Sequence, residues 1–439
     1  MNQSDIYFYS SFTHPRLAYV VTYLFEQLGL TFQWVKNEEE AYFKTPLVIY
    51  DSSFKNPKAF SIPFSGYLQL PRHSLYIPSL DFGEIPMLFK DKGESHFPFD
   101  IFSALFFMLA RIEEYLNEQR DEHGRFDAPN SFLFKSGLHR RAIVDEWILL
   151  FKKKLKERFP FLPIKCKDAS FSLTMDIDQL FCFKGKGILR NTGGLVRDII
   201  TGKKEKVTKR LQVLLNRRRD PFDVYEELAQ RIPHTLQPIK AFILRASERT
   251  KYDKNTSLKR KEEQRAIDQL KSIAEMGWHS SYYSQKNFDY FFHEKIRLEQ
   301  VLGYKLTSHR SHFLRLQIPS TYHALVQCAV KEDYTMGFAK DVGFRAGTGR
   351  SFPFYDLSQE KTLPLILHPF SVMDGTLVDY LHLSLAEAEK ILYEQWEYVR
   401  KIKGHMTLLV HNETFSDEGR WKKWKEMLFR FLEHISKTL

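Results

Sequence analysis

The chain has 439 residues, of which 43% are hydrophobic and 15% aromatic; that is length for two or three domains and a composition that excludes a low-complexity or disordered polymer. The formal net charge is +11 and the pI about 9.2. Between Lys184 and Arg219, however, twelve Lys or Arg face two acids, Asp198 and Glu205, a local net of +10 that leaves the rest near neutral. No RRM, KH, helix-turn-helix or zinc-finger pattern accompanies that charge, so nucleic acid is not expected as a partner.

Three cysteines, Cys166, Cys182 and Cys328, show no pairing or metal-ligand spacing, which fits a reducing compartment better than a disulfide scaffold. No apolar run approaches the ~20 residues that cross a bilayer. The first residues do not form a basic-then-apolar leader. The expected location is the cytoplasm.

Residues 1–165 read as a smaller α/β domain. IYFYSS is strand-like, and 14–30 carries Leu17, Val20, Val21, Leu24 and Phe25 at the period of a buried helical face. TFQWV and PLVIYDS read as further strands, and 99–116 and 143–159 as helices. Pro160, Pro163 and the polar KCKDA mark a boundary. From 166 to 439 the pattern becomes a regular alternation. Strands are expected at FSLTM, 241–247, 277–283, 303–309, 334–338, 343–347, 364–370 and 405–411, and helices at 258–276, 288–302, 320–330, 385–402 and 421–435. A basic helical insertion occupies about 184–230, with Leu195, Ile199, Leu211, Leu214 and Leu215 marking one or two amphipathic helices. Repeated strand–helix units imply parallel strands with crossover helices. The expected fold class is therefore α/β, a distorted (β/α)7-8 barrel preceded by a smaller α/β domain. A doubly wound open sheet is the alternative.

In such a barrel, catalytic side chains sit at the C-terminal ends of the strands. The segment SFSLTMDIDQ, 170–179, alternates apolar and polar residues and ends its polar face with Asp176 and Asp178. At i and i+2 of an extended chain the two point the same way. Two carboxylates that close repel, and a bound cation relieves the repulsion. One can then hold a divalent metal while the other remains a general base. His279 is a candidate imidazole ligand, His411 a candidate acid for the leaving amine, and Arg345 a candidate partner that orients the base. His309, His312 and His368 fall at other strand ends.

These residues resemble the polysaccharide deacetylases of the carbohydrate esterase group. Thr174-Met-Asp176-Ile-Asp178 is similar to the first motif of that family, base then metal-binding Asp. His279-Ser-Ser-Tyr-Tyr283 is similar to the second, which supplies two metal histidines. GFRAGTGRSFPF with Arg345 is similar to the third, and LLVHNET with His411 to the last. The resemblance implies a metal-dependent hydrolase, with zinc as the expected metal. It would remove N-acetyl or similar acyl groups from amino sugars of a bacterial surface polysaccharide or its precursor. Asp176 is then the base, Asp178 and His279 ligands, Arg345 the partner of the base, His411 the acid and Asp374 the residue that orients it. Tyr283 stands where the family has its second metal histidine, and tyrosine is a poor zinc ligand at neutral pH. His309 and His312 follow the next strand and could complete the set; His312 is the choice made here. The alternative is a catalytically inactive barrel that binds glycan or scaffolds glycan assembly. Residues 1–165 resemble an uncharacterised domain found ahead of such barrels in bacterial proteins, which implies architecture but no separate activity.

Each of these residues also has a purely structural reading. Asp-x-Asp at a strand end can cap a turn, His279 alone can be a core histidine, Arg345 an ordinary ion-pair partner and Asp374 a turn cap. His368 and His405 read as structural, and Trp421 and Trp424 as anchors of the last helix. The basic stretch 184–219 reads first as a solvated face. A peripheral contact with anionic membrane is its functional alternative.

Overall fold

Short runs of aromatic and β-branched residues near the N-terminus pair into a parallel four-stranded sheet of β1 (Ile6–Tyr9), β2 (Phe32–Trp34), β3 (Leu47–Tyr50) and β4 (Phe60–Ile62), in the order β2-β1-β3-β4. This computed structural model describes residues 5–439 except 92, 94, 166, 249, 255–257 and 259, with Lys286 described by its backbone alone. Cys166 therefore lies outside the described residues. The first helix, Pro15–Gln27, begins with Pro at a position where no N–H is needed, and His14 caps it by accepting the Arg16 N–H at 3.2 Å. A two-stranded antiparallel ribbon, β5 (Leu80–Asp81) and β6 (Met87–Leu88), follows.

The helix expected at 99–116 is two helices, Ile101–Leu109 and Ile112–Leu116, broken at Arg111, whose φ is 54°. The break places the fully buried Arg111 guanidinium on Glu113 (2.6 Å) and Glu114 (3.0 Å). The helix expected at 143–159 runs Ile143–Arg158.

The second sheet contains β7 (Ser170–Ile177), β8 (Ile239–Leu244), β9 (Ala274–Ser280), β10 (Ser308–Ser311), β11 (Glu332–Asp333), β12 (Phe352–Asp356), β13 (Lys361–Leu367), β14 (Val372–Met373) and β15 (His405–His411), ordered β12-β13-β11-β10-β9-β8-β7-β15-β14. All pairings are parallel except β12 on β13. Leaving β12 aside, each parallel strand from β7 to β13 pairs with the next, β14 pairs with β15, and β15 returns to β7. That is the cyclic order of a singly wound barrel. Among the described residues no ladder joins β13 to β14, so the hydrogen-bonded ring is open at that seam. Helices Lys261–Lys271, Asp289–Leu302, Ser320–Gln327, Leu385–Lys401 and Trp424–Thr438 fall within the expected stretches or close to their ends.

Two expected strands are different. The pairing near 334–338 is confined to Glu332–Asp333, and 343–347 is no strand at all. The latter is a loop docked on the N-terminal part: the Phe344 N–H donates to the His139 carbonyl at 2.7 Å, and the Val144 N–H donates to that of Gly347 at 2.9 Å. Gly343, at φ 144°, lies so near His139 that a Cβ there would be 2.2 Å from its carbonyl oxygen. Gly343 serves a close backbone approach, and Gly347 a left-handed turn at φ 68°, not a strand. One continuous apolar cluster runs from Ile6 to Ile435 and includes residues of both sheets.

Candidate metal centre

The alternation of β7 sets the site's floor. Leu173, Met175 and Ile177 enter the apolar core. On the opposite face Thr174 and Asp176 meet Arg310 from β10, whose Nη2 donates to the Thr174 hydroxyl and Nη1 to Asp176 Oδ1, both at 2.8 Å. Its Nε donates to the Tyr334 carbonyl at 2.9 Å, and Phe242 lies under the guanidinium with the centroid 4.6 Å away. Gly277 makes room for that ring, since a Cβ there would be 2.5 Å from Phe242 carbons. Arg310 is fully buried and Asp176 nearly so.

One step beyond β7, Asp178 turns its carboxylate into the open end of the sheet, where its side chain is 35% exposed. Oδ1 lies 3.4 Å from Nε2 of His279 at the end of β9, and Oδ2 lies 3.4 Å from Nε2 of His312, just past β10. One donor atom from each of Asp178, His279 and His312 falls within 4.8 Å of the others. The far nitrogen of each imidazole is held. His279 Nδ1–H donates to the Arg310 carbonyl at 2.8 Å, and His312 Nδ1–H donates to Asp253 Oδ1 at 2.8 Å. Both arrangements aim Nε2 at the cluster, the orientation in which metal-binding histidines are held. Asp178 Oδ1 and His279 Nε2 are buried atoms with no hydrogen-bond partner among the described residues, which suits a cation between them. The donor set of one carboxylate and two imidazoles fits a divalent ion such as zinc that keeps an open position.

The chain turns sharply after His312, with φ of 59° at Phe313 and 55° at Leu314. Paired non-glycine residues in this region are strained, and such strain gathers at sites whose surroundings fix them.

On the other side of Asp176, β15 runs parallel to β7 with His411 opposite Asp176. Asp374, just after β14, accepts His411 Nδ1–H at 2.8 Å and the His411 backbone N–H at 2.6 Å, and also the Gly375 N–H and the Thr414 hydroxyl. His411 Nε2 is left for the cavity that its ring lines.

The charges follow this geometry. Burial alone would lower His411, but Asp374, with Asp178 and Asp176 beyond it, raises it well above the ordinary histidine value. His312 is likewise pushed up, to about 9, by Asp178 and Asp253 against the effect of burial. Burial would raise Asp178 and Asp374, yet His312 and His411 respectively hold them below the usual carboxylate range.

Seven residues were expected at the site. Asp176, Asp178, His279, His312, Asp374 and His411 are brought together, and Arg345 is not. Arg345 is buried against Glu114 of the N-terminal part, at 3.0 and 2.5 Å, because its segment docks on residues 139–144. The arginine on Asp176 is Arg310. Tyr283 is partly exposed and packs on Tyr290, 5.5 Å between centroids, outside the cluster. His309 faces the opposite way from His312, bonded to Asp333 and Ser280 at 2.8 and 2.9 Å, and burial lowers it. The sequence reading missed Arg310 and Asp253, and also Arg125, which reaches the cavity from the N-terminal part. The cavity over the cluster is about 160 Å³, with Arg125, Phe313, Tyr380, Arg420 and Trp421 among its walls.

Residues 6–160 match the model of a family of unknown function (DUF7033). No curated protein matches the chain. Solved structures similar to it include a Mycobacterium smegmatis protein described as a polysaccharide deacetylase, with TM-score 0.40 and 13% identity over 61% of this chain and 84% of that one. An allantoinase has TM-score 0.40 and 10% identity, covering 62% of this chain and 85% of that one. A Bordetella bronchiseptica protein described as a polysaccharide deacetylase involved in O-antigen biosynthesis has TM-score 0.29 and 14% identity over 62% and 93%.

Proposed function

We propose that the chain is a metal-dependent hydrolase that removes N-acetyl or similar acyl groups from amino sugars of a bacterial surface glycan or its precursor. The observation that carries this reading is the convergence of Asp178, His279 and His312 within 4.8 Å, beside a second, separately held carboxylate. Asp178, His279 and His312 would hold a divalent metal, with zinc as our choice. When bound, such an ion polarises a carbonyl and lowers the pKa of water from 15.7 toward ~7.

The chain's own groups divide the remaining work. Asp176, fixed by Arg310, takes the proton of the attacking water. His411, kept protonated by Asp374, gives a proton to the leaving nitrogen at Nε2. Arg310 is the positioning residue, in the role expected of Arg345. The division at 165/166, with an N-terminal α/β unit ahead of the barrel-like unit, belongs to the same proposal. The inactive-barrel alternative rested on Tyr283. That residue lies outside the cluster and His312 supplies a third donor, so catalysis is the reading put forward.

The test is metal analysis of the purified chain together with acetate release from chitooligosaccharides and N-acetylated amino-sugar precursors. Activity that persists in Asp176→Asn, or a chain that retains no divalent metal after reconstitution, overturns the assignment.

A further inference from the structure

The basic insertion is two helices, Gly187–Ile200 and Lys204–Leu214, and the first is amphipathic in the wrong sense for a soluble surface. Its polar residues Asn191 and Asp198 are buried, both on Arg210 of the second helix at 3.1 and 2.6 Å. Its apolar residues Ile188, Leu189, Val196, Ile199 and Ile200 share the opposite face and are 49–90% exposed. Leu211 and Leu214 of the second helix, and Leu215 just after it, are exposed as well. A contiguous apolar face of this kind marks an interaction site.

Charge decides what covers it. Lys203, Lys204 and Arg217 belong to the same helix pair or its flanks and are exposed, and among the described residues their side chains make no ion pair. A second copy would bring the same segment, net +10, against its like. A plane of anionic headgroups over an apolar interior complements both features at once. The first helix, 14 residues or ~21 Å long, is too short to span a bilayer. No described helix is long and apolar enough to cross one. It has the form of a helix that lies in the interface.

We propose that the helix pair at 187–214 docks the chain on an anionic lipid surface. A second consequence comes from its position. Lys203, Lys206 and Lys209 line a groove with Glu413, Arg420 and Trp421, and these last three also line the cavity over Asp178. The docked chain holds its candidate site beside the lipid headgroups.

The test is flotation of the full chain with phosphatidylcholine vesicles, with and without phosphatidylglycerol. The chain floats with the phosphatidylglycerol vesicles, and rising salt weakens the association. The combined variant Ile188→Ser, Ile199→Ser, Ile200→Ser alters only exposed side chains and reduces partitioning roughly tenfold or more. Lys203→Glu with Lys204→Glu removes the preference for phosphatidylglycerol. No flotation at low salt overturns the proposal, as does flotation that the serine variant leaves unchanged. So does a concentration-dependent dimer that the serine variant abolishes without any vesicle association. Metal content and acetate release are untouched by the serine variant, so this test stands apart from the hydrolase reading.

Discussion

The pair Arg310–Asp176 makes a prediction that needs no substrate. Both residues are buried, and their closest atoms are 2.8 Å apart. With charge centres ~4 Å apart and an effective dielectric of ~20, their attraction is roughly 4 kcal/mol. Arg310→Met removes the guanidinium that donates to Asp176 Oδ1 and leaves that carboxylate buried without it. Stranding a buried charge in this way costs about 3–5 kcal/mol. Arg310→Met also strips donors from Thr174 Oγ1 and the Tyr334 carbonyl. That loss occurs equally in the double variant Asp176→Asn/Arg310→Met and cancels in the cycle. The double variant, which buries neither charge, is therefore more stable than Arg310→Met by at least ~2 kcal/mol. Guanidinium unfolding of the four chains, followed by tryptophan fluorescence and far-UV circular dichroism, gives the coupling. Single-variant losses that add within ~0.5 kcal/mol would falsify the claim that Arg310 is held in place by the Asp176 charge.

Other outcomes follow from the same geometry. Asp178→Asn and His312→Ala each reduce bound divalent metal to background in elemental analysis. Asp253→Asn, which frees the back of His312, weakens metal affinity roughly 10–100-fold, as read by chelator competition. Because His411 is raised well above the ordinary histidine value, kcat/KM for deacylation holds through neutral pH and falls on the alkaline side as His411 loses its proton. His411→Ala removes that limb together with roughly 10²–10⁴-fold of rate. At the opposite end of β15, burial, with Arg350 nearby, lowers His405 to about 3. A histidine depressed in the fold loses stability as pH falls from its unfolded value of 6.5 toward 3. His405→Gln flattens that acid limb in urea titrations at stepped pH.

Period-two alternation made much of the barrel-like part readable. In SFSLTMDIDQ it separates the core face from the site face, and the structure keeps that separation at every residue from Leu173 to Ile177. The same rule, applied to SHRSH, would have found Arg310. If His312 faces the cavity, then Arg310, two residues earlier, faces it too and His309 does not. Histidine is the more familiar metal ligand, so an arginine between two of them stands out only when the whole segment's alternation is followed. Asp253 was unreadable for another reason. It reaches His312 from a loop 59 residues away in sequence, and no local pattern marks such a contact. GFRAG misled because an arginine between apolar residues and glycines looks like a strand end. Only the His139 carbonyl, from another part of the chain, shows why Gly343 is there.

That loop changes what the N-terminal part is for. Burial alone would raise Glu114, but Arg345 and Arg111 hold it down to about 2. The ion pair is therefore charged and dry, and separating the two parts would leave the buried Arg345 without its carboxylate. The apolar cluster shared by both sheets adds to the same linkage. Arg125 carries the connection into the site. Its Nε is bonded to Asp121 at 2.7 Å, its Nη1 to the Phe313 carbonyl at 3.4 Å, and both Nη atoms to the Tyr380 hydroxyl. Phe313 is the strained residue that follows His312, so the N-terminal part grips the backbone that presents a metal-ligand candidate. The same residues, 121–125, also meet Tyr282 through His123, at 3.2 Å. A part that only preceded the second sheet in the chain would not reach this cavity. This one supplies part of the cavity wall and braces the turn behind His312, and the site is a product of both parts of the chain.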